Sequence, residues 1–218
     1  MNKPFVSICI PSYNGALYLS ACIDSCIGQT YTNYEIIICD DGSTDNTLSI
    51  VEEYLKKSDK IRLLKNPQNI GLVGNWNKCI QEAKGEWVKF IFQDDYMEPD
   101  CLQKFVEAIK EDIYLVVCKR NFIIEKKATE DELDYYQRRV KTLENTGCFN
   151  SVNFKAQTIS KIAANHISLN FIAEPSLSFI KKQVINKVGY FDSDLKQICD
   201  LEYLLRIASV YGLTYIPE

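Results

Sequence analysis

The chain of 218 residues carries 25 Lys and Arg against 29 Asp and Glu, a formal net charge of −4, so no sequence-wide attraction to nucleic acid or anionic lipid is expected. Hydrophobic residues make up 46% and charged residues 25%, which excludes intrinsic disorder, collagen-like repeats and low-complexity scaffolds, and the length suits one domain or one with an appended lobe. The first element predicted is a strand over Phe5 to Ile10. Its apolar run, Val6 to Ile10, stops at Pro11 and is too short for a signal-peptide core or a membrane span, so a cytoplasmic chain without a transmembrane segment is expected.

Leu19, Cys22, Ile23 and Cys26 then follow i, i+3, i+4, i+7 and predict an amphipathic helix. A strand over Tyr34 to Cys39 precedes a Gly42-Ser43-Thr44-Asp45 cap, and Leu48, Val51 and Leu55 mark a second helix. Ile61 to Leu64 and Trp87 to Phe92 read as further strands, with a helix over Gly74 to Ala83 between them. Continuous rather than alternating apolarity implies strands covered on both faces, and strand-helix alternation implies a doubly wound, mainly parallel α/β sheet. Beyond residue 118 the pattern loosens. Thr129 to Glu132 is a capping box before a stripe of Leu133, Tyr136, Val140 and Leu143, while Gly147 to Asn170, with the sole histidine His166, is polar and poorly periodic. Leu177 to Ile180 is strand-like. Leu201, Leu204, Leu205 and Ala208 predict a last helix and Leu213 to Ile216 a strand, after which the chain stops; a longer protein is expected.

Nine cysteines are scattered without a CxxC pair, which favours reduced, mostly buried thiols over a disulfide framework or zinc site. In open α/β sheets ligands bind outside the carboxyl ends of the strands. That rule selects Pro11-Ser12-Tyr13-Asn14, Asp40-Asp41-Gly42-Ser43 and Gln93-Asp94-Asp95. Asp41-Gly42 is also a common turn pair, and Asp45 a common cap. Asp94 and Asp95, adjacent after an apolar strand, should raise each other's pKa unless a cation offsets them, and a divalent ion is the economical answer. Hard cations held by one or two carboxylates complete their shell with phosphate and water, so a phosphorylated ligand is expected. Neither GxGxxG after the first strand nor GxxxxGK[ST] anywhere is present, which removes the usual dinucleotide and P-loop cradles.

The segments FVSICIPSYNGALYL, YEIIICDDGSTDNT and NPQNIGLVGNWNKCIQEAKGEWVKFIFQDDYMEPD, in this order, resemble the nucleotide-binding half of family-2 inverting glycosyltransferases with the GT-A fold; VGYFDSDLKQICDLEYLLRIA resembles their acceptor-side segment. The resemblance implies a single domain, its nucleotide-sugar-binding half in residues 1–118 and its acceptor side in 119–218. It places Pro11, Ser12, Tyr13 and Asn14 around the nucleoside, Asp41 or its neighbour Asp40 on the base, Asp94 on the metal (Mn2+ or Mg2+) with Asp95 beside it, and Asp200 as general base. Three positions depart from the pattern. Phe92 replaces the first aspartate of a DxDD arrangement, with Gln93 next to it, Trp76 stands where many members carry an arginine before Asn77, and Cys199 stands where an acidic residue often precedes Asp200. Asn77 and Gln93 are kept as binding candidates.

The implied activity is metal-dependent transfer of a sugar, most simply from UDP, to a glycan or lipid-linked acceptor in cell-surface polysaccharide assembly. Peripheral association with the inner face of a membrane would fit such an acceptor. Two rival readings differ in kind: a non-catalytic carbohydrate- or nucleotide-binding relative, and a receiver-like magnesium-binding signalling domain. The second should be near 120 residues and carry its acidic pair after the first strand, where this chain has Pro11-Ser12.

Overall fold

The computed structural model describes residues 3–123, 129–134, 152–166 and 172–217. Among them eight strands form one sheet in the order β3-β2-β1-β4-β7-β5-β8-β6. The strands are β1 (Val6–Ser12), β2 (Tyr34–Asp40), β3 (Ile61–Lys65), β4 (Trp87–Phe90), β5 (Leu115–Cys118), β6 (Asn153–Phe154), β7 (Ser178–Lys181) and β8 (Leu213–Ile216). The helices are α1 (Leu19–Ile27), α2 (Thr47–Leu55), α3 (Leu72–Glu82), α4 (Cys101–Glu107), α5 (Ala156–His166), α6 (Ile185–Val188) and α7 (Cys199–Tyr211). Strands β1 to β4 pair in parallel, β7 runs antiparallel between β4 and β5, and β5 pairs in parallel with β8. This is the doubly wound, mainly parallel α/β sheet expected from the alternation.

Every residue of β1 and β2 is buried, as their continuous apolarity required. Ile8, Ile10, Ile36 and Ile38 face α1, α2 and α4, whereas Cys9, Ile37 and Cys39 face the layer of α3, α5 and α7. The predicted face of α1 is the buried one. In α2 the face turns by a residue: Thr47, Val51 and Tyr54 are buried, Leu48 is half-buried and Leu55 is exposed. Asp45 stands one residue before the N-cap, Asn46, and accepts hydrogen bonds from the Thr47 N–H and hydroxyl. In α7 likewise Cys199, Tyr203, Leu204, Ile207 and Ala208 form the buried face, with Leu201 and Leu205 half-buried at its margins.

The polar stretch Gly147 to Asn170 hides a helix. In α5 only Ile159, Ile162 and Ala163 face the core, a stripe too narrow to stand out among polar neighbours, and α5 packs on α7. The capping box forms, with Thr129 N–H donating to the Glu132 carboxylate at 2.7 Å and Glu132 N–H to the Thr129 hydroxyl at 3.3 Å. Tyr136, Val140, Leu143 and Cys148, and the His166 side chain, lie outside the described residues. The described cysteines are free thiols. Among the described residues no helix is long and apolar enough to cross a membrane.

Candidate active site

The three segments chosen by the strand-end rule are knitted to one another. Gln93 Oε1 accepts hydrogen bonds from the Ser12 hydroxyl at 2.9 Å and from Tyr13 N–H at 3.0 Å, and its amide nitrogen donates to the Tyr13 carbonyl at 3.2 Å. A Cβ on Gly15 would stand 2.2 Å from Gln93 Oε1, so a side chain there would push the Gln93 amide out of this seam. Asn14, at φ 49°, donates its N–H to the Ser43 hydroxyl and accepts Thr44 N–H on its side-chain oxygen at 2.8 Å. Asp45 and Thr47 take the N–H groups of Ala16 and Gly15. Of the PSYN loop, Pro11 and Ser12 are buried, and Tyr13 is exposed at the rim.

The two aspartates at the end of β2 divide their labour. Asp41 is buried and accepts three hydrogen bonds, from the Asn66 amide (2.9 Å) and Ile70 N–H (2.9 Å) on Oδ1 and from Gly71 N–H (3.0 Å) on Oδ2, so it shapes the 66–71 loop that leads into α3. Asp40 accepts Gly42 and Ser43 N–H on Oδ2, closing a turn in which Gly42 holds φ 77°, a conformation unfavourable with a side chain. Its buried Oδ1 accepts no hydrogen bond among the described residues.

After β4 the chain turns through Asp95 N–H to the Phe92 carbonyl and presents Asp94 and Asp95 to solvent. Asp94's carboxylate makes no hydrogen bond or ion pair among the described residues, while burial of the Asp95 carboxyl on its inner side, then the charge of Asp94, raise the Asp95 pKa. At Asp95 the expected repulsion from its neighbour is therefore present but second to desolvation. The Ser176 hydroxyl and Lys89 partly offset both. Among the described residues no cluster of three or more His, Cys, Asp and Glu side chains could hold a metal by itself. Two adjacent oxygen donors at an open loop suit a hard cation whose shell is completed by phosphate and water.

Beside this pair opens a cleft of about 400 Å³ between β4, α4 and the segment after β5. Sequence reading passed over Lys89 and Arg120 in its floor and walls. Lys89, 1% exposed, donates to the carbonyls of Phe90 and Ser176 and lies over the Phe105 ring. Arg120 and Glu174 form an ion pair across the cleft wall. The one available signal was a lysine inside an apolar strand; the ion pair joins residues far apart in the chain and leaves no local pattern.

Asp200 lies half-buried in the first turn of α7, where the helix dipole favours its ionised form. Glu202, two residues on, is spent on Arg206, which also donates to the carbonyls of Val188 and Tyr190. Asn77, expected to bind substrate, uses both amide atoms on the backbone of Phe191. Gln93, expected likewise, is engaged by Ser12 and Tyr13.

The sequence model of glycosyl transferase family 2 matches residues 7–162. The chain belongs to that family. An uncharacterized protein of Mycobacterium tuberculosis is 26% identical over 99% of this chain and 66% of its own length, and the chondroitin synthase of Pasteurella multocida is 40% identical over 48% of this chain and 11% of its own. Among solved structures, Staphylococcus aureus TarS in complex with UDP-GlcNAc superposes with a TM-score of 0.72 at 20% identity, over 98% of this chain and 56% of that one. The mannosyltransferase PcManGT from Pyrobaculum calidifontis, in complex with GDP-Man and Mn2+, gives 0.74 at 18%, over 100% and 55%. These neighbours fix the GT-A fold for this family 2 member, which spans little more than half the length of either solved chain. A receiver-like domain is set aside by the family and by the acidic pair, which follows β4 and not β1.

Proposed function

We propose that this family 2 member is a metal-dependent inverting glycosyltransferase that moves a sugar from a nucleotide donor, most simply a UDP-sugar, to a glycan or lipid-linked acceptor in polysaccharide assembly. The reading rests above all on one observation: cross-loop hydrogen bonds gather the Pro11–Asn14, Asp40–Asp45 and Gln93–Asp95 loops at one edge of the sheet. A nucleoside would lie against Tyr13 and the Asp40–Asp41 turn. Asp94, with Asp95 beside it, would hold Mn2+ or Mg2+, which when bound stabilises the charge growing on the leaving diphosphate. The neighbouring cleft, with Lys89, Arg120 and Glu174, is of a size to take the sugar. Asp200 would take the proton of the acceptor hydroxyl as its oxygen attacks the anomeric carbon from the face opposite the departing diphosphate.

The test is a thermal-shift panel of UDP, UDP-sugars and GDP-mannose, each with Mn2+ and with EDTA, followed by calorimetry on Asp94→Asn. A ligand that binds the native state raises the melting temperature by mass action. Stabilisation by a uridine nucleotide only when metal is present, abolished by Asp94→Asn without loss of fold, is the expected result. Equal UDP affinity in EDTA and Mn2+ would refute metal dependence. Binding without any donor hydrolysis or transfer would favour a non-catalytic relative.

A further inference from the structure

Two of the three positions at which this chain departs from the pattern it resembles lie against each other. The Trp76 and Phe92 rings stack with centroids 5.1 Å apart and planes 19° from parallel. Trp76, 7% exposed, meets Phe191 edge-on at 5.2 Å, and Phe191 lies 4.0 Å from the wholly buried Tyr203. Phe92 stands two residues before Asp94, and Tyr203 stands three residues after Asp200, on the next turn of α7. The row is fixed along its length: Asn77, next to Trp76, clasps the Phe191 backbone, and Arg206 ties α7 to the carbonyls of Val188 and Tyr190.

We infer that Trp76 is a positioning residue: the aromatic row Phe92–Trp76–Phe191–Tyr203 sets the separation between the Asp94 loop and the first turn of α7 that carries Asp200. The inference rests on the roles proposed above for those two aspartates. Stacked rings have few rotamers and a defined contact distance, so they transmit position between two elements better than flexible aliphatic chains do. Single displacement needs both partners held at near-attack distance, and a misplacement of about 1 Å costs on the order of 100-fold in rate. The nucleotide-side loops are held by the separate hydrogen bonds through Gln93, Asn14 and Asp45, so nucleotide affinity should not depend on the row. Opposite charges placed at 76 and 92 would adjoin as the two rings do, so the Trp76→Arg/Phe92→Asp pair tests whether a charged tie can replace the stacked one.

The experiment compares the parent with Trp76→Leu, Trp76→Phe, Trp76→Arg, Phe92→Asp and the Trp76→Arg/Phe92→Asp double variant. Transfer rate at saturating donor, UDP affinity with Mn2+ by calorimetry, and amide hydrogen exchange are measured for each. Trp76→Leu should lower the rate per folded molecule by about 10- to 100-fold, leave UDP affinity within about twofold, and speed exchange both at residues 92–95 and at 199–203. Trp76→Phe should recover most of the rate, and the double variant should exceed either of its single charged variants. An unchanged rate in Trp76→Leu, or an affinity that falls as far as the rate, would overturn the inference. A parent that neither binds UDP nor transfers sugar would sink the proposed function instead. The mechanical tie would then stand or fall on whether Trp76→Leu loosens both segments together.

Discussion

Asp41 illustrates how a residue can be found for one reason and kept for another. Its carboxylate was chosen because it follows a buried strand, and it accepts three hydrogen bonds that close the 66–71 loop. Asp41→Ala would leave buried donors unpaired, so it should cost about 3 kcal/mol of stability as well as nucleotide affinity. Asp41→Asn keeps an oxygen for Asn66 and Ile70 but loses the second acceptor. It should recover much of the stability while narrowing the preference for UDP over CDP, as read by denaturant unfolding and calorimetry. If the asparagine variant discriminates as well as the parent, the base reader is Asp40, whose buried Oδ1 has no partner among the described residues. Asp95 makes a second residue-scale prediction. Its pKa is raised, first by burial and then by Asp94, so the proton competes with a cation at higher pH than at an ordinary carboxylate. Metal affinity should therefore begin to fall on acidification before pH reaches the usual aspartate range, and Asp95→Asn should move that fall to lower pH in a Mn2+ titration. A profile unchanged by Asp95→Asn would exclude it from the metal's environment.

Helix α7 carries the argument for the general base. Asp200 and Glu202 both lie in its first turn, about 200° apart around the axis, and Glu202 is tied to Arg206 and, through it, to the carbonyls of Val188 and Tyr190. Asp200→Asn keeps shape but cannot take a proton, so transfer should fall by roughly two to four orders of magnitude with donor binding intact. Glu202→Gln retains a hydrogen bond to Arg206 and should change transfer little. The reverse pattern would show that the register assigned to this motif is wrong. The elements legible in the sequence were those whose burial is two-sided or whose stripe is wide: β1, β2 and α1 announce themselves by continuous or periodic apolarity. The narrow stripe of α5 and the turned faces of α2 and α7 did not, because Thr47, Tyr54 and Tyr203 take core positions that an aliphatic count passes over. At the site the strand ends are legible, whereas the hydrogen bonds that Asn14, Asn77 and Gln93 make are not. Each pairs with a segment distant in the chain, and such pairing leaves no local period.

Taken as a whole, the molecule does not divide where its sequence resemblance changes from nucleotide side to acceptor side near residue 118. The boundary falls at the end of β5, but β5 does not pair with β4. Strand β7 lies between them, with Trp87 opposite Lys181, Val88 opposite Ile180 and Lys89 opposite Phe179, while β8 covers the other edge of β5. Phe179 stacks on Trp87 at 4.7 Å and packs against Phe105 of α4, so the segment after residue 118 supplies the centre of the core that closes residues 1–118. A fragment of residues 1–118 would leave β4 with an open, apolar edge and β5 with no strand to pair to, a configuration prone to edge-to-edge association. Such a fragment should show broad, non-cooperative urea unfolding and concentration-dependent association, and it should bind UDP far more weakly than the full chain even though it contains the Pro11–Asn14, Asp40–Asp45 and Gln93–Asp95 loops. Phe179→Ala in the full chain isolates the shared core from the pairing. It removes a fully buried ring stacked on another and should cost about 3 to 5 kcal/mol in denaturant unfolding. A monomeric 1–118 fragment that unfolds cooperatively and binds UDP with parental affinity would show that the nucleotide side is an independent unit and that β7 is an addition to it.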